Sequence, residues 1–398
     1  MSDQYLLPTY TRQPLVLVRG EGAQVWDVNG RVYLDFVGGI AVALVGHCHP
    51  QVVSAVQQQA AELIHTSNLF YTEPAARLAA RLAQQAQRAG LKQPRLFFAN
   101  SGTEAVEAAL KLARRFAAVV KGEPGRYEII SALGSFHGRT MGALAATGQE
   151  KYQRDFRPLP EGFRYVPYND AAALGRAISE KTAAVILEAV QGEGGVRPAD
   201  PGYLQAARRL TRERGALLIL DEVQTGLGRT GSFFAFEQAG IQPDLICLAK
   251  GLGGGLPIGA LIAAAPASQG FAPGSHASTF GGNPLACRAA LAVLDVLEQE
   301  QLVKAAQAKG ERLYQGLAAL AQRFGLAQAR GVGLMQALDL GTEAAAQVVD
   351  LAREEGLLVN AVSPTTLRLL PPLVTSSEQI QEALGALERA LTRWRSSL

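Results

Sequence analysis

Short apolar runs that end in a charged or glycine-rich stop alternate along this chain with stretches whose apolar residues recur every three or four positions. That is the pattern of strands and crossover helices in an open α/β sheet. The clearest run is Leu217-Leu218-Ile219-Leu220, closed by Asp221-Glu222. Four large aliphatics in a row suit a strand covered on both faces, so Asp221 is expected at its carboxyl end. Leu245-Ile246-Cys247-Leu248-Ala249 repeats the pattern and delivers Lys250 ahead of Gly251-Leu252-Gly253-Gly254-Gly255. Residues 95–99, 127–133, 182–187 and 259–264 read as further strands, and 50–63, 73–89, 203–214 and 284–300 as helices.

The ends of the chain read differently. Alternating pieces at 15–18, 24–27 and 32–36 flank Asn29-Gly30, a hairpin signal. Beyond 305 the pattern gives a helix, a strand at 332–340, a helix at 343–355, strands at 357–361 and 367–370, and a last helix at 377–394. The expected fold is α/β, with a large, mostly parallel sheet domain covered by helices over 51–305. A smaller α+β domain is expected from the amino-terminal segment 1–50 and the carboxyl-terminal segment 306–398.

Composition narrows the partners. A net charge of +3 with 18% charged residues offers no basic field for nucleic acid, and no run of eighteen apolar residues suggests a membrane span. The amino end has no apolar leader pattern, and Cys48, Cys247 and Cys287 form an odd, scattered set that suits a reducing compartment. The expectation is a cytoplasmic protein acting on small molecules. Three adjacent residues cannot converge on one ion, so His47-Cys48-His49 reads as a turn before Pro50 and no metal is expected.

Ligands of open α/β sheets bind beyond the carboxyl ends of the strands. Asp221, Lys250 and the strand-end Glu188 are therefore expected at one mouth, with Glu193 close behind in Gln191-Gly192-Glu193-Gly194-Gly195. A lysine in an apolar setting has a lowered pKa and can form a Schiff base, while a carboxylate can keep a pyridinium nitrogen protonated. Asp221 and Lys250 could equally form a plain ion pair. Asn100-Ser101-Gly102-Thr103-Glu104 links a strand to an amphipathic helix that runs to Arg115. Ser101 with Glu104 is a capping box, which alone accounts for the sequence; the same helix start could also hold a phosphate on free N–H groups and the Thr103 hydroxyl. Gly226-Leu227-Gly228-Arg229-Thr230-Gly231 matches a dinucleotide pattern, but Ser232-Phe233-Phe234 follows where a helix is needed.

Taken together, these stretches resemble the class III aminotransferases that depend on pyridoxal 5'-phosphate (PLP), a family of fold type I. The likeness is carried by Asn100-Ser101-Gly102-Thr103-Glu104-Ala105, Phe136-His137-Gly138-Arg139-Thr140, Leu187-Glu188 with Gln191-Gly192-Glu193, Leu220-Asp221-Glu222-Val223-Gln224-Thr225-Gly226 and Leu248-Ala249-Lys250-Gly251. Ser278-Thr279-Phe280-Gly281-Gly282-Asn283-Pro284 and Leu367-Arg368-Leu369-Leu370-Pro371-Pro372 complete it. The resemblance implies that Lys250 holds the cofactor covalently and shuttles a proton, and that Asp221 faces the pyridinium nitrogen. It implies Ser101, Gly102 and Thr103 at the phosphate, Phe136 and Val223 on the two ring faces, Gln224 at the ring's 3-oxygen, and His137 and Glu188 close by. Thr279 would complete the phosphate cup from a partner subunit, which makes a homodimer with sites at the interface the expected assembly.

Within the family the chain looks most like the members that act on N-acetylornithine, from Gly38-Gly39-Ile40-Ala41-Val42 and His65-Thr66-Ser67-Asn68-Leu69-Phe70-Tyr71. Ile40 stands where ornithine-specific relatives have tyrosine. The implied reaction moves the terminal amino group of N-acetylornithine to 2-oxoglutarate. Arg139 would clamp the far carboxylate of both substrates, Arg368 the near one of 2-oxoglutarate, with Glu193 masking Arg368 during the first half-reaction and Ser278 lining the substrate side. Other ω-amines, including ornithine, succinylornithine, 4-aminobutyrate or carrier-bound lysine or ornithine, are the alternatives, with a glutamate-1-semialdehyde aminomutase behind them. Ala189 departs from the proline usual in relatives.

Overall fold

The strand Leu217–Asp221 lies in the middle of a seven-stranded sheet, in the order Arg95–Ala99, Gly259–Ala263, Leu245–Leu248, Leu217–Asp221, Thr182–Glu188, Glu128–Ala132, Phe163–Val166. Six strands run parallel; Gly259–Ala263 alone is antiparallel to both of its neighbours. The computed structural model describes residues 2–397. Every residue of Leu217–Asp221, Thr182–Glu188 and Leu245–Leu248 is buried, the signature of strands covered by helices on both faces. Each fully buried leucine or isoleucine there contributes about 2 kcal/mol of transfer free energy.

Helices close both faces. On one side Pro50–Glu62, Glu73–Arg88 and Pro284–Gln299 pack against each other, and on the other Gly102–Arg115 lies under the strands Gly259–Ala263 and Leu245–Leu248. Prolines at the starts of Pro50–Glu62, Glu73–Arg88, Pro201–Arg214 and Pro284–Gln299 occupy first-turn positions, where a missing N–H costs nothing. His49 caps the first of these, and its Nε2 lies 3.0 Å from Glu300 Oε1; His47 instead bonds Asp35 at 2.8 Å. The two histidines therefore serve different elements.

At the amino end Gln24–Asp27 and Val32–Asp35 form the expected hairpin around Asn29-Gly30, with Leu17–Glu21 at its outer edge. A fourth member, Leu357–Leu358, joins Val32–Asp35 in parallel. The expected strand at 357–361 is thus broken: Asn360–Ser363 pairs with Thr366–Leu369 in another sheet. The expected strand at 332–340 also needs correction. Gly333, at φ 55°, and Leu334 turn the chain, so Gln328–Val332 and Met335–Asp339 form a hairpin. The apolar residues around Gly333 hide such a turn, because Leu334 at the turn is as buried as Met335 in the strand that follows.

Candidate active site

The sheet register sets the chemistry. Asp221 stands opposite Glu188 on one side and Cys247 on the other, so two carboxylates meet at one edge and Lys250 follows three residues past Cys247. Asp221, Glu188 and Lys250 line a cleft of about 410 Å³, together with Ser101, Gly102, Thr103, Phe136, His137 and Arg139. Asp221 is 5% exposed and its oxygens are committed: Oδ1 accepts from the Val223 N–H at 3.0 Å, and Oδ2 lies 2.8 Å from His137 Nδ1. Among the described residues no carboxylate comes within 4 Å of the Lys250 amine, so the plain ion pair with Asp221 is not formed. Lys250 adopts φ 45°, a left-handed conformation that a lysine enters only under constraint.

The Gly102–Arg115 helix begins at the cleft. Ser101 caps it by accepting from the Glu104 N–H at 3.3 Å, but the second half of the expected capping box is displaced. Glu104 Oε2 accepts from Asn100 N at 2.5 Å rather than from Ser101. Gly102 leaves room for Val223, whose Cγ1 would lie 2.6 Å from an added Cβ. Gly138, at φ 135°, lies so close to Thr103 that an added Cβ would sit 2.2 Å from its hydroxyl oxygen. A helix start with unsatisfied N–H groups, bordered by Val223 and Phe136, suits a flat ring bearing a phosphate.

Sequence reasoning missed the support beneath this cup. Thr103 Oγ1 lies 2.8 Å from Thr140 Oγ1, which donates to Glu107 Oε1 at 2.7 Å. The same Glu107 oxygen accepts from Gly142 N at 2.9 Å and Ala143 N at 3.1 Å, pinning the segment that carries Arg139. Glu107 was legible only as a polar position one turn from Thr103. Asn100 and Val42, quoted within motifs but given no role, also line the cleft, as does the run Leu256-Pro257-Ile258, which had no advance signal.

Two arginines belong to the site, Arg139 in the cleft lining and Arg368 behind the lining residues Glu193 and Gln224. Arg139 is exposed, its guanidinium 4.1 Å over the Tyr152 ring and 5.5 Å from Phe136. Arg368 is fully buried: Nη1 donates to Glu193 Oε1 at 2.5 Å and to Gln224 Oε1 at 3.4 Å, and Nε to Asn360 Oδ1 at 3.4 Å. Gln224 in turn donates to Glu193 Oε1 at 3.4 Å. The hairpin that carries Glu193 is closed by Val190–Gln191 against Arg197–Pro198, and the Ala189 carbonyl accepts from Ala199 N at 2.9 Å.

Charge follows from burial and neighbours. Burial would raise Glu193, but the Arg368 guanidinium holds it below its ordinary value. Glu188 goes the other way, lifted well above the carboxylate range by burial and the adjacent Asp221 charge, against N–H groups of Phe136 and Gly192. Burial lowers Lys250, opposed by Glu193 and aided by Arg368. One mouth therefore holds an amine biased toward its neutral form, a carboxylate paired to histidine, and a carboxyl biased toward its protonated form.

Three expected residues do not reach the cleft within one chain. Thr279 is exposed, beside exposed Phe280. Ser278 instead accepts from Asn100 Nδ2 at 3.3 Å, and Asn68 Nδ2 holds the same loop through the Ser278 and Gly281 carbonyls. Ile40 is 42% exposed in a left-handed turn, Gly38 to Ala41, whose residues all have φ between 55° and 69°.

The family model described as Aminotransferase class-III matches residues 6–391. The chain belongs to the class III aminotransferases. It is 49% identical over 98% of each chain to the acetylornithine aminotransferase of Caldanaerobacter subterraneus subsp. tengcongensis. It is 47% identical to that of Methanocaldococcus jannaschii, over 98% of this chain and 97% of the relative. Solved structures give the same family. The ornithine aminotransferase of Toxoplasma gondii ME49 superposes with a TM-score of 0.94 at 34% identity, covering all of this chain and 94% of that one. The N-acetylornithine aminotransferase of Stenotrophomonas maltophilia K279a does so with 0.86 at 36%, covering 100% and 99%. A class III aminotransferase of fold type I is what the sheet order and cleft describe from within.

Proposed function

We propose that this chain is a PLP-dependent aminotransferase that moves the terminal amino group of N-acetylornithine to 2-oxoglutarate, giving N-acetylglutamate 5-semialdehyde and glutamate. The observation that carries the reading is the buried Arg368–Glu193 pair at a cleft that also holds Lys250 and Asp221. Near-full-length identity to acetylornithine aminotransferases supports the choice of donor.

The residues fit PLP. The Toxoplasma enzyme has been crystallised with partial occupancy of PLP at its active site. Here Gly102 and Gly138 leave the close approaches a phosphate cradle needs, and His137 Nε2 is a buried nitrogen without a partner in the protein. Gly102, Thr103 and Ser101 would hold the phosphate, Val223 and Phe136 the ring faces, and Asp221 the ring nitrogen, with Lys250 as covalent anchor and Gln224, His137 and Glu188 around the rim. When bound, PLP supplies an aldehyde that captures an amine and a ring that draws electrons from the carbon beneath it.

The chain's own groups do the rest. His137 orients Asp221 so that its charge is directed at one point of the cleft. Lys250 Nζ, biased toward its neutral form, would serve as the base that takes the proton from the donor carbon bearing the amine. Arg139 is free to grip the far carboxylate by a fork of two N–H donors. Glu193 neutralises Arg368 while an amine occupies the cleft, and releases it when a 2-oxo acid brings its own carboxylate.

The assembly proposed with this reading is a homodimer, in which Thr279 of each chain enters the partner's phosphate cup. Exposed Leu69, Phe70, Tyr71 and Phe280 give that face its apolar character. Unpaired Cys48, Cys247 and Cys287 agree with a cytoplasmic setting, and no helix among the described residues is long and apolar enough to cross a membrane.

The deciding experiment mixes PLP-loaded protein, without acceptor, with N-acetylornithine, ornithine, 4-aminobutyrate or glutamate and follows loss of the cofactor's long-wavelength absorption. Fast loss with N-acetylornithine and slow loss with ornithine is expected. Response to glutamate alone would move the reading to another donor.

A further inference from the structure

Arg229, in the Gly226-Leu227-Gly228-Arg229-Thr230-Gly231 turn, is the anomaly that the reaction leaves unexplained. It is wholly buried, yet among the described residues no carboxylate lies within 4 Å of its guanidinium, and Nε and Nη2 have no partner in the protein. Burial without a counter-charge pushes it down to about 9. An interior cation without a carboxylate is unfavourable. What its remaining nitrogen joins therefore identifies its use.

Nη1 donates to two carbonyls, Leu334 O at 3.0 Å and Pro371 O at 2.5 Å. One follows the strand that carries Arg368 and the other leads into the strand paired with it. Pro371 follows Arg368 by three residues, and Leu334 leads into Met335–Asp339, where Ala337 is the register partner of Arg368. The contact is reciprocated, since Leu334 N donates to the Arg229 carbonyl at 2.9 Å. Gly333 lets the hairpin come this close: an added Cβ would meet the Thr230 carbonyl carbon at 2.5 Å and the Arg229 oxygen at 2.7 Å. On its other side Arg229 continues the segment that begins at Asp221 and includes Gln224, which itself touches Arg368.

We propose that Arg229 is a positioning residue for Arg368, a buried guanidinium whose Nη1 ties the strand carrying the acceptor's arginine and the strand paired with it to the arm that carries Asp221 and Gln224. The inference rests on the reading of Arg368 as the group that takes the near carboxylate of 2-oxoglutarate. Arg368 must exchange Glu193 for a substrate carboxylate without moving its own strand, and Arg229 supplies the fixed frame. Its loss acts on the acceptor half-reaction, whereas the donor half-reaction, in which Arg368 is masked, is left nearly intact.

The test is single-turnover absorbance on PLP-loaded Arg229→Lys and Gly333→Ala, with Arg368→Ala as control. Arg229→Lys keeps a buried cation but replaces the planar guanidinium, whose Nη1 meets both carbonyls, by a shorter, flexible amine. Gly333→Ala leaves Arg229 in place and pushes the hairpin away. In both, the 2-oxoglutarate concentration for half-maximal rate is expected to rise about tenfold or more, with the N-acetylornithine half-reaction within about threefold of wild type and the cofactor absorption unchanged. Parallel losses in both half-reactions, unaltered 2-oxoglutarate dependence in a folded variant, or failure of both variants to fold each overturn the proposal. Arg368→Ala separates the two readings. If it spares the acceptor half-reaction, the role of Arg368 itself is wrong. If it abolishes that half-reaction while both other variants behave as wild type, only the role of Arg229 is wrong.

Discussion

Asp221 Oδ2 and His137 Nδ1 stand 2.8 Å apart with both side chains almost sealed from water. In so dry a place this contact fixes the carboxylate's orientation, and burial together with the Asp221 charge lifts its register neighbour Glu188 well above the carboxylate range. Asp221→Ala should therefore slow single-turnover reaction with every donor by about 100-fold or more, the scale of a lost preorganised charge. Retention of a tenth of wild-type rate would contradict this role.

Lys250→Ala should remove covalent attachment of PLP. Borohydride reduction followed by peptide mass mapping is expected to label the peptide containing Lys250 in the wild type and none in the variant. Label at another lysine in the wild type would displace Lys250 from its role.

Arg368 and Glu193 form a second separable pair. Arg368→Ala is expected to impair the 2-oxoglutarate half-reaction by at least about 100-fold, against less than about tenfold for N-acetylornithine, by loss of a buried fork to a carboxylate. Equal losses in stopped-flow traces of both halves would remove Arg368 from acceptor binding.

Glu222 predicts a pH effect. It is fully buried and accepts from Thr225 Oγ1, Ala235 N and Phe236 N, and burial raises it to about 7. A raised carboxyl binds its proton more tightly folded than unfolded, so its contribution to stability is present at low pH. That contribution is lost as pH climbs from about 4.5 to about 7 and is constant above. Wild type should lose roughly 3 kcal/mol relative to Glu222→Gln across that window, at 1.36 kcal/mol per unit. Urea unfolding of both proteins at pH 5 and pH 8 measures it; a difference that stays flat with pH shows the group to be ionised throughout.

Sequence pattern made the central sheet and its strand-end groups legible because strands covered on both faces spell themselves as unbroken aliphatic runs, and each stops where the chain reaches the cleft. Leu217 to Asp221 and Thr182 to Glu188 are such cases. What stayed hidden depended on tertiary neighbours. The Leu334 turn lies among apolar residues, and Leu357 and Asn360 enter different sheets though one residue pair separates them. Glu104 reaches past Ser101 to Asn100, a choice of acceptor geometry rather than of residue type. Arg229 looked like part of a nucleotide motif, since nothing local announces a guanidinium that bonds carbonyls more than a hundred positions away.

The pairing of Val32–Asp35 with Leu357–Leu358 imposes an order on synthesis. Leu34 N donates to Gly356 O and Phe36 N to Leu358 O, while Leu370 N returns to Phe36 O. A ribosome that has released Ala263 has already delivered the whole central sheet, with Asp221 and Lys250 at its edge, yet the amino-terminal hairpin still lacks its neighbour. Only the last stretch of translation supplies that strand and Arg368 together. A product cut short before that point would carry Lys250 and Asp221 in an unfinished cleft, without the Arg368 that stands behind Glu193.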